Sequence, residues 1–132
     1  MSQILFERMI WWSRPWEPLG PRYSGHVVYV VGFAKYVKIG SSMSLESRMM
    51  ALVHAVRSDL VLFTTIRDFG RVSSRGVTPV EAELHRRFAG CRVCDPSVLR
   101  LFRGEGLSEW FYIRDELEAW VRSGCPYPLA GT

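Results

Sequence analysis

The sequence predicts an α+β domain in which a small three-stranded antiparallel sheet is flanked by helices. Two segments rich in β-branched and aromatic residues, 26–33 and 36–40, are separated by only two residues, which predicts a tight hairpin. A helix, a strand and a second helix follow, then a short extended segment and a last helix. Hairpins mixed with helices in this order pack as an antiparallel sheet covered by helices. At 132 residues with 48% hydrophobic content, the chain can bury one core without disulfides.

The first helix and the third strand follow the hairpin directly. Ser44 is predicted to cap the helix LESRMMALVHAV, residues 45–56, in which the apolar side chains recur on one stripe. The segment DLVLFTTI, residues 59–66, has the composition of a strand. A polar loop with glycine and serine, residues 68–77, separates it from the next helix.

The second helix has the clearest start signals in the chain. In TPVEAELHRRF, Thr78 is predicted as the N-cap and Pro79 occupies the first helical position. The apolar run WFYI, residues 110–113, then predicts a short extended segment. Asp115 and Glu118 have the spacing of a capping box and open the last helix, ELEAWVR.

The change in pattern at residue 25 predicts a domain boundary. Residues 1–25 are expected to form an N-terminal extension that packs on the domain, 26–124 the domain itself and 125–132 a short tail. The extension contains Trp11, Trp12 and Trp16 without a clean period. It could form a short helix at residues 4–12, followed by an irregular segment that packs its tryptophans on the domain.

Composition restricts the compartment and the partners. The net charge is +4, with 15 arginines against 2 lysines, and the planar guanidinium fork suits phosphate. On charge alone, a nucleic-acid partner and a solvated arginine-rich surface are equally open. No run is long and apolar enough for a membrane span, and the N-terminus lacks the pattern of a secretory signal. A cytoplasmic protein without membrane contact is therefore expected.

The cysteines leave one alternative class of function open. Cys91 and Cys94 form the motif CRVC, which histidines elsewhere in the chain could complete as a zinc site. No second CxxC pair and no spaced histidine pair accompanies it, which disfavours structural zinc. Three cysteines fit reduced thiols better than a disulfide framework. A small zinc-dependent interaction domain remains the alternative that this motif would support.

Glu81 and His85 are polar residues on a helix face that the pattern assigns to the core, because Leu84 and Phe88 share that face. A buried carboxylate needs a partner or a function, since burying an unpaired charge is costly. However, Thr78 and Glu81 also have the spacing of a capping box, which would make Glu81 purely structural. The pattern leaves both interpretations open. His85 alone is typical of a hydrogen-bonded core histidine.

Three further residues stand out against the apolar pattern. Tyr29 and Lys38 lie on adjacent strands of the predicted hairpin and share one face if the register allows it. Tyrosine in a strand is usually packing, whereas lysine in a short apolar strand is harder to explain unless that face meets solvent. Arg48 lies about 60° around its helix from Leu45, at the edge of the apolar stripe. An ordinary boundary arginine would lie there too.

These residues resemble the GIY-YIG nuclease superfamily. The resemblance runs through VYVVGFAKYVKIGSSMSLESRMMAL, then VEAELHRRF and EWFYI, and covers residues 26 to 113. More narrowly, the chain is similar to the phage and prophage branch of meiotically-up-regulated-gene-like domains, whose second half-motif typically reads Lys-Ile-Gly. Tyr29 stands in the first half-motif and Lys38 begins the second. Arg48 matches the arginine that follows, and Glu81 matches the metal-binding glutamate.

The resemblance implies a metal-dependent endonuclease, with DNA favoured over RNA as the substrate. In similar nucleases one divalent cation, Mg²⁺ or Mn²⁺, is bound by the helix glutamate, here Glu81, and contacts the scissile phosphate. Tyr29 would act as general base, with its pKa lowered by the metal-water network and nearby cations. Arg48 would hold the phosphate, and Lys38 would supply positive charge beside the tyrosine. His85 would orient a water or the phosphate.

Some interpretations stay open at this point. A catalytically inactive nucleic-acid-binding accessory or regulatory protein of a phage would tolerate loss of Tyr29 or Glu81, yet both are present. Glu109 is a candidate second acidic group, but a surface glutamate beside a strand is the favoured interpretation. At this size no separate targeting domain is expected. Specificity would come from a partner protein, from a homodimer or from the loops at 68–77 and 94–106.

Overall fold

The computed structural model describes residues 10–12, 26–58, 60–68, 77–104, 106 and 108–129. Within these ranges five strands form one antiparallel sheet: β1 (Ile10–Trp12), β2 (His26–Phe33), β3 (Tyr36–Ser42), β4 (Leu60–Asp68) and β5 (Trp110–Tyr112). Their order across the sheet is β1-β4-β2-β3-β5. The three predicted strands are therefore the centre of the sheet, and two strands of three residues each extend its edges.

The helices confirm the α+β class. They are α1 (Leu45–Val56), α2 (Pro79–Arg87), the single turn α3 (Pro96–Leu99) and α4 (Asp115–Arg122), with 3-10 turns at Ala89–Cys91 and Arg100–Phe102. No helix among the described ranges is long and apolar enough to cross a membrane.

The predicted hairpin of β2 and β3 is confirmed and sets the geometry of the site. Its two-residue turn places Ala34 at a φ of +54°, in the left-handed region that two-residue hairpin turns require. The register sets Tyr29 opposite Gly40 and Val31 opposite Lys38. Residues directly opposite each other share a face of the sheet, and so does every second residue along one strand. Tyr29 and Lys38 therefore lie on the same face of the sheet.

Both faces of the sheet are covered, which explains why the central strand reads as a nearly continuous apolar run. One face packs against α2 and α4, and the other packs against α1 and the 3-10 turn that ends at Phe102. The first core includes Val28, Val30, Val37, Ile39, Leu84, Phe88, Phe111 and Leu117. The second includes Tyr29, Val31, Tyr36, Leu45, Met49, Leu52, Phe102 and Trp110.

Three local predictions are wrong. Ser44 lies at the N-cap of α1, but its side chain makes no cap hydrogen bond to the helix and donates to the Ser47 hydroxyl instead. Residues 10–12 were expected at the end of a helix, but they form β1 and pair with β4. A short apolar run suits a helix or a strand, and here the pairing with β4 decides for the strand. The remainder of that predicted helix, residues 4–9, lies outside the described residues. The capping box at the last helix also fails: Asp115 is the first helical residue, and Arg114 occupies the N-cap without a side-chain cap bond.

Candidate active site

Lys38 and Tyr29 form a buried polar pair between β3 and β2. The Lys38 ammonium donates to the Tyr29 hydroxyl over 2.5 Å, and the two residues are 2% and 1% exposed. Lys38 also contacts the Glu109 carboxylate, with Nζ 2.8 Å from Oε1. Burial alone would lower the pKa of Lys38, but Tyr29 and Glu109 outweigh this effect and raise it. Lys38 therefore stays charged inside the sheet.

The pKa of Tyr29 corrects one expectation from the sequence. Lys38 lowers this pKa as predicted, and Arg48 adds a smaller effect in the same direction. Burial is larger than either and, together with the negative charge of Glu109, leaves the pKa of Tyr29 raised above its ordinary value. Burial wins because a phenolate in the closed face of a sheet loses almost all of its solvation. The predicted net lowering is thus wrong for the protein without bound ligands.

Glu81 points into the molecule and is only partly used as a helix cap. The Thr78 hydroxyl accepts from the Glu81 backbone N–H at 3.4 Å, so the predicted N-cap is confirmed. Glu81 is 1% exposed as a residue, and its carboxylate lies against β3, where Oε1 accepts from the Ser41 hydroxyl at 2.7 Å. Its other oxygen, Oε2, is buried and has no hydrogen-bond partner among the described residues. A capping box accounts for the backbone of Glu81 but leaves its carboxylate unexplained.

Two carboxyl groups meet at this point. Burial raises the pKa of Glu81 to about 7, the hydrogen bond from Ser41 opposes the shift, and the adjacent Glu109 carboxyl adds to it. The negative charge of Glu109 thus disfavours ionisation of Glu81.

His85 lies one helical turn after Glu81 and is half-buried. Its Nε2 is 2.7 Å from the backbone oxygen of Ile39, so Nε2 carries the proton and donates it there. The same nitrogen is 3.6 Å from Glu81 Oε2. Burial lowers the pKa of His85, which keeps the ring neutral at physiological pH. With Nε2 committed to a backbone acceptor, Nδ1 is the nitrogen that remains to accept a hydrogen bond.

Arg48 occupies an exposed position on α1, the helix that covers the Tyr29 face of the sheet. Leu45, Met49 and Leu52 of this helix are buried, which confirms the predicted stripe. The charge of Arg48 reaches Tyr29 and lowers the pKa of the phenol. The fold thus brings Tyr29, Lys38 and Arg48 together on one side, with Glu81 and His85 on the other.

Glu109 joins the two sides, and sequence reasoning did not include it in the site. β5 pairs with β3 only as far as Lys38, and the next contact is the Ile39 N–H donating to the Glu109 backbone oxygen at 2.9 Å. Past this point no strand of the described ranges pairs with this edge of β3, and the Glu109 side chain, 27% exposed, contacts Lys38 there. The acidic residue directly before the run WFYI was the available signal.

Gly40 is the residue that makes room for this arrangement. A β-carbon at position 40 would lie 2.6 Å from the Tyr29 hydroxyl and 2.8 Å from Glu109 Oε1, closer than real contacts allow. Gly106 adopts a φ of +58° and would place a β-carbon 2.7 Å from the same Glu109 oxygen and 2.6 Å from the Lys38 Cε. Glycine at both positions is therefore required for the Tyr29–Lys38–Glu109 contacts.

The CRVC motif has a different environment. Cys91 is buried and its thiol donates to the Arg114 backbone oxygen, whereas Cys94 is exposed. Across the ranges that the structure describes, no group of three or more histidine, cysteine, aspartate or glutamate side chains is arranged to hold a metal ion.

The fold is a small α+β domain, and the family match that follows relates it to phage-associated, nuclease-like or nucleic-acid-related proteins. The sequence profile of the T5orf172 domain matches residues 26–124, most of the chain, and the protein belongs to this family. No curated protein and no solved structure matches the chain.

Proposed function

We propose that this protein is a GIY-YIG-type endonuclease that hydrolyses phosphodiester bonds of nucleic acid, DNA in preference to RNA, with Mg²⁺ or Mn²⁺. The observation that carries the proposal is the charged Lys38 donating to the Tyr29 hydroxyl inside the sheet. A buried ion pair is weak evidence of stability, because apolar residues of similar volume often stabilise a core as well or better. A role in proton transfer would explain why the charged Lys38 is buried in the sheet.

The acidic side of the site fits the cation that such a nuclease needs. Within the described ranges, Glu81 presents a buried carboxylate oxygen without a hydrogen-bond partner, and hard oxygen ligands with bound water suit Mg²⁺ and Mn²⁺. One carboxylate with several waters is a common way to hold Mg²⁺, so a cluster of three protein ligands is not needed. A cation held by Glu81 would supply Lewis-acid stabilisation of the leaving oxygen.

Tyr29 is proposed to accept the proton of the attacking water. The hydrogen bond that Lys38 donates stabilises the phenolate relative to the phenol, which makes proton transfer to Tyr29 easier. Because Tyr29 is 1% exposed, the water would meet its hydroxyl in a nearly solvent-free environment, where charges act more strongly than in bulk water.

Two residues are proposed to position the phosphate. Arg48, exposed on the side of Tyr29, offers a planar fork to two phosphate oxygens as charge builds on them. His85 is fixed by its bond to Ile39, so its Nδ1 can accept from a water near Glu81. His85 is thus proposed as a positioning residue.

Purified protein incubated with plasmid, branched DNA and RNA in Mg²⁺ or Mn²⁺ tests the proposal. We expect cleavage of DNA that stops when the cation is chelated. Binding of nucleic acid without cleavage under all of these conditions would instead support the alternative, an inactive nucleic-acid-binding phage protein.

Arg48→Lys tests the phosphate clamp. Lysine keeps the charge but loses the planar fork, so we expect the cleavage rate to fall by about 10²-fold while affinity for nucleic acid changes little. Single-turnover cleavage and binding measured on the same substrate separate the two quantities. Arg57→Lys, an exposed position just after α1, serves as the matched control. Equal losses in rate and affinity would reduce Arg48 to a ground-state contact.

Lys38→Met tests the buried pair through pH dependence. The raised pKa of Tyr29 keeps the phenolate scarce, so the rate of the unchanged protein should rise with pH. Lys38 lowers this pKa; without it the phenolate fraction falls at every pH below the pKa. The rate profile should therefore move to higher pH. Lys35→Met, which changes the exposed lysine of the hairpin turn, should leave the profile in place. An unmoved profile in the Lys38 variant would remove this lysine from the proton path.

A further inference from the structure

Glu109 is fixed by more contacts than a surface glutamate beside a strand needs. Its backbone oxygen holds the edge of β3 through Ile39, and its carboxylate is 2.8 Å from the Lys38 ammonium. Gly40 and Gly106 both leave space around its Oε1, and Gly106 does so in a left-handed conformation that disfavours other residues. The bond to Ile39, the contact with Lys38 and the space left by the two glycines therefore all fix the position of this carboxylate.

The Glu81 carboxylate faces the same place from the other side of the sheet edge. Its Oε1 accepts from Ser41, whereas its Oε2 has no hydrogen-bond partner in the part of the chain that the structure describes, and the side chain is only 2% exposed. An unsatisfied buried carboxylate oxygen is costly. Two neighbouring carboxylates repel each other, and a cation between them would stabilise both.

We propose that Glu109 and Glu81 together hold one divalent cation, so that the site has two carboxylate ligands. This inference rests on the proposed function, because it concerns the same cation. The Glu109 side chain is 27% exposed and that of Glu81 is 2% exposed, so Glu109 would be the ligand nearer to solvent and Glu81 the buried one. The remaining positions are left for water and phosphate, as Mg²⁺ and Mn²⁺ prefer.

The competing explanation is that Glu109 only neutralises Lys38. In that case Glu109 contributes nothing to cation affinity beyond balancing the charge of the lysine, and removing both residues should cost no affinity. If Glu109 is a ligand, Lys38 competes with the cation for its carboxylate. Removing Lys38 alone should then strengthen cation binding, because a repelling positive charge is also lost.

Titration of the full chain with Mn²⁺ by calorimetry, without nucleic acid, tests the proposal. We expect the unchanged protein to bind Mn²⁺, Glu81→Gln to lose binding and Glu109→Gln to weaken it by roughly tenfold or more, since affinity follows the number of charged ligands. Glu116→Gln, at an exposed position in the first turn of α4, should bind as the unchanged protein does.

A double variant keeps the test decisive if Glu109→Gln alone fails to fold with an unbalanced lysine. Lys38→Met should bind Mn²⁺ more tightly than the unchanged protein. Adding Glu109→Gln to Lys38→Met should cost roughly tenfold or more in affinity relative to Lys38→Met. Equal affinities of the single and double variants would overturn the proposal.

The outcomes separate this inference from the proposed function. Loss of binding in Glu81→Gln with unchanged binding in Glu109→Gln would overturn the second carboxylate and leave the nuclease proposal intact. Normal Mn²⁺ binding that depends on both carboxylates, in a protein that cleaves no nucleic acid, would overturn the proposed function and leave the cation site. No binding by the unchanged protein would overturn both claims about the cation.

Discussion

Glu81→Gln is expected to abolish cleavage and, in the absence of divalent cations at about pH 8, to raise the melting temperature. Burial and Glu109 raise the pKa of Glu81 from 4.5 to about 7 in the folded protein. A carboxyl whose pKa is raised by folding binds its proton more tightly in the folded state than in the unfolded state. Its contribution to stability is therefore present below about pH 4.5 and is lost as the pH rises through 7. Glutamine cannot ionise, so the Glu81→Gln variant does not lose this stability as the pH rises. The difference in the free energy of unfolding amounts to at most about 3 kcal/mol.

Thermal unfolding at about pH 5 and pH 8, in chelator, measures this effect. The gain should be larger at the higher pH, because the cost of ionising Glu81 is fully present only above its raised pKa. Glu116→Gln is the control, since this exposed carboxyl should change neither melting temperature nor cleavage. A lower melting temperature at both pH values, with cleavage retained, would return Glu81 to the role of a helix cap.

Tyr29→Phe should reduce cleavage by about 10³-fold or more at every pH, because it removes the group that accepts the proton. The ring stays in the second core, so packing changes little. The ammonium of Lys38 loses one of its two side-chain contacts and keeps the other, to Glu109, which limits the loss of stability. Single-turnover cleavage with nucleic-acid binding as a second readout distinguishes lost chemistry from lost affinity.

Tyr36→Phe is the matched control for this variant. Tyr36 is also buried on β3, on the same face of the sheet, and packs edge-on against Phe102. Removing its hydroxyl should leave cleavage unchanged. If Tyr29→Phe retained full activity, the base would have to be another group and the Tyr29–Lys38 pair would be a structural feature.

The sequence predicts the local parts of this fold well, for a physical reason. The hairpin is joined by two residues, so its register follows from the turn and the β-rich flanks. The start of α2 is set by Thr78 and Pro79, which act within one helical turn. These interactions are close in sequence, and the pairing of Tyr29 with Lys38 on one face follows from them.

The parts that sequence reasoning missed depend on contacts between distant residues. β1 reads as a helix end until its pairing with β4 is known, and β5 reaches β3 across a long stretch of chain. Glu109 enters the site only because that pairing stops at Lys38. The spacing of Thr78 and Glu81 could not show where the carboxylate points, since helical position fixes the face but not the group it meets. The pKa of Tyr29 depends on burial, which the pattern did not quantify.

Cleavage in water enriched in oxygen-18 tests whether this site hydrolyses phosphodiester bonds, because it follows the oxygen of the attacking water into the product. The preferred DNA substrate is cleaved by the unchanged protein with Mg²⁺, and the new phosphate ends are analysed by mass spectrometry. We expect one labelled oxygen in each new phosphate end, no such ends from Glu81→Gln, and formation of such ends by Tyr29→Phe at a rate lower by about 10³-fold or more. New ends without the label, or labelled ends that both variants form at the same rate, would contradict hydrolysis at this site.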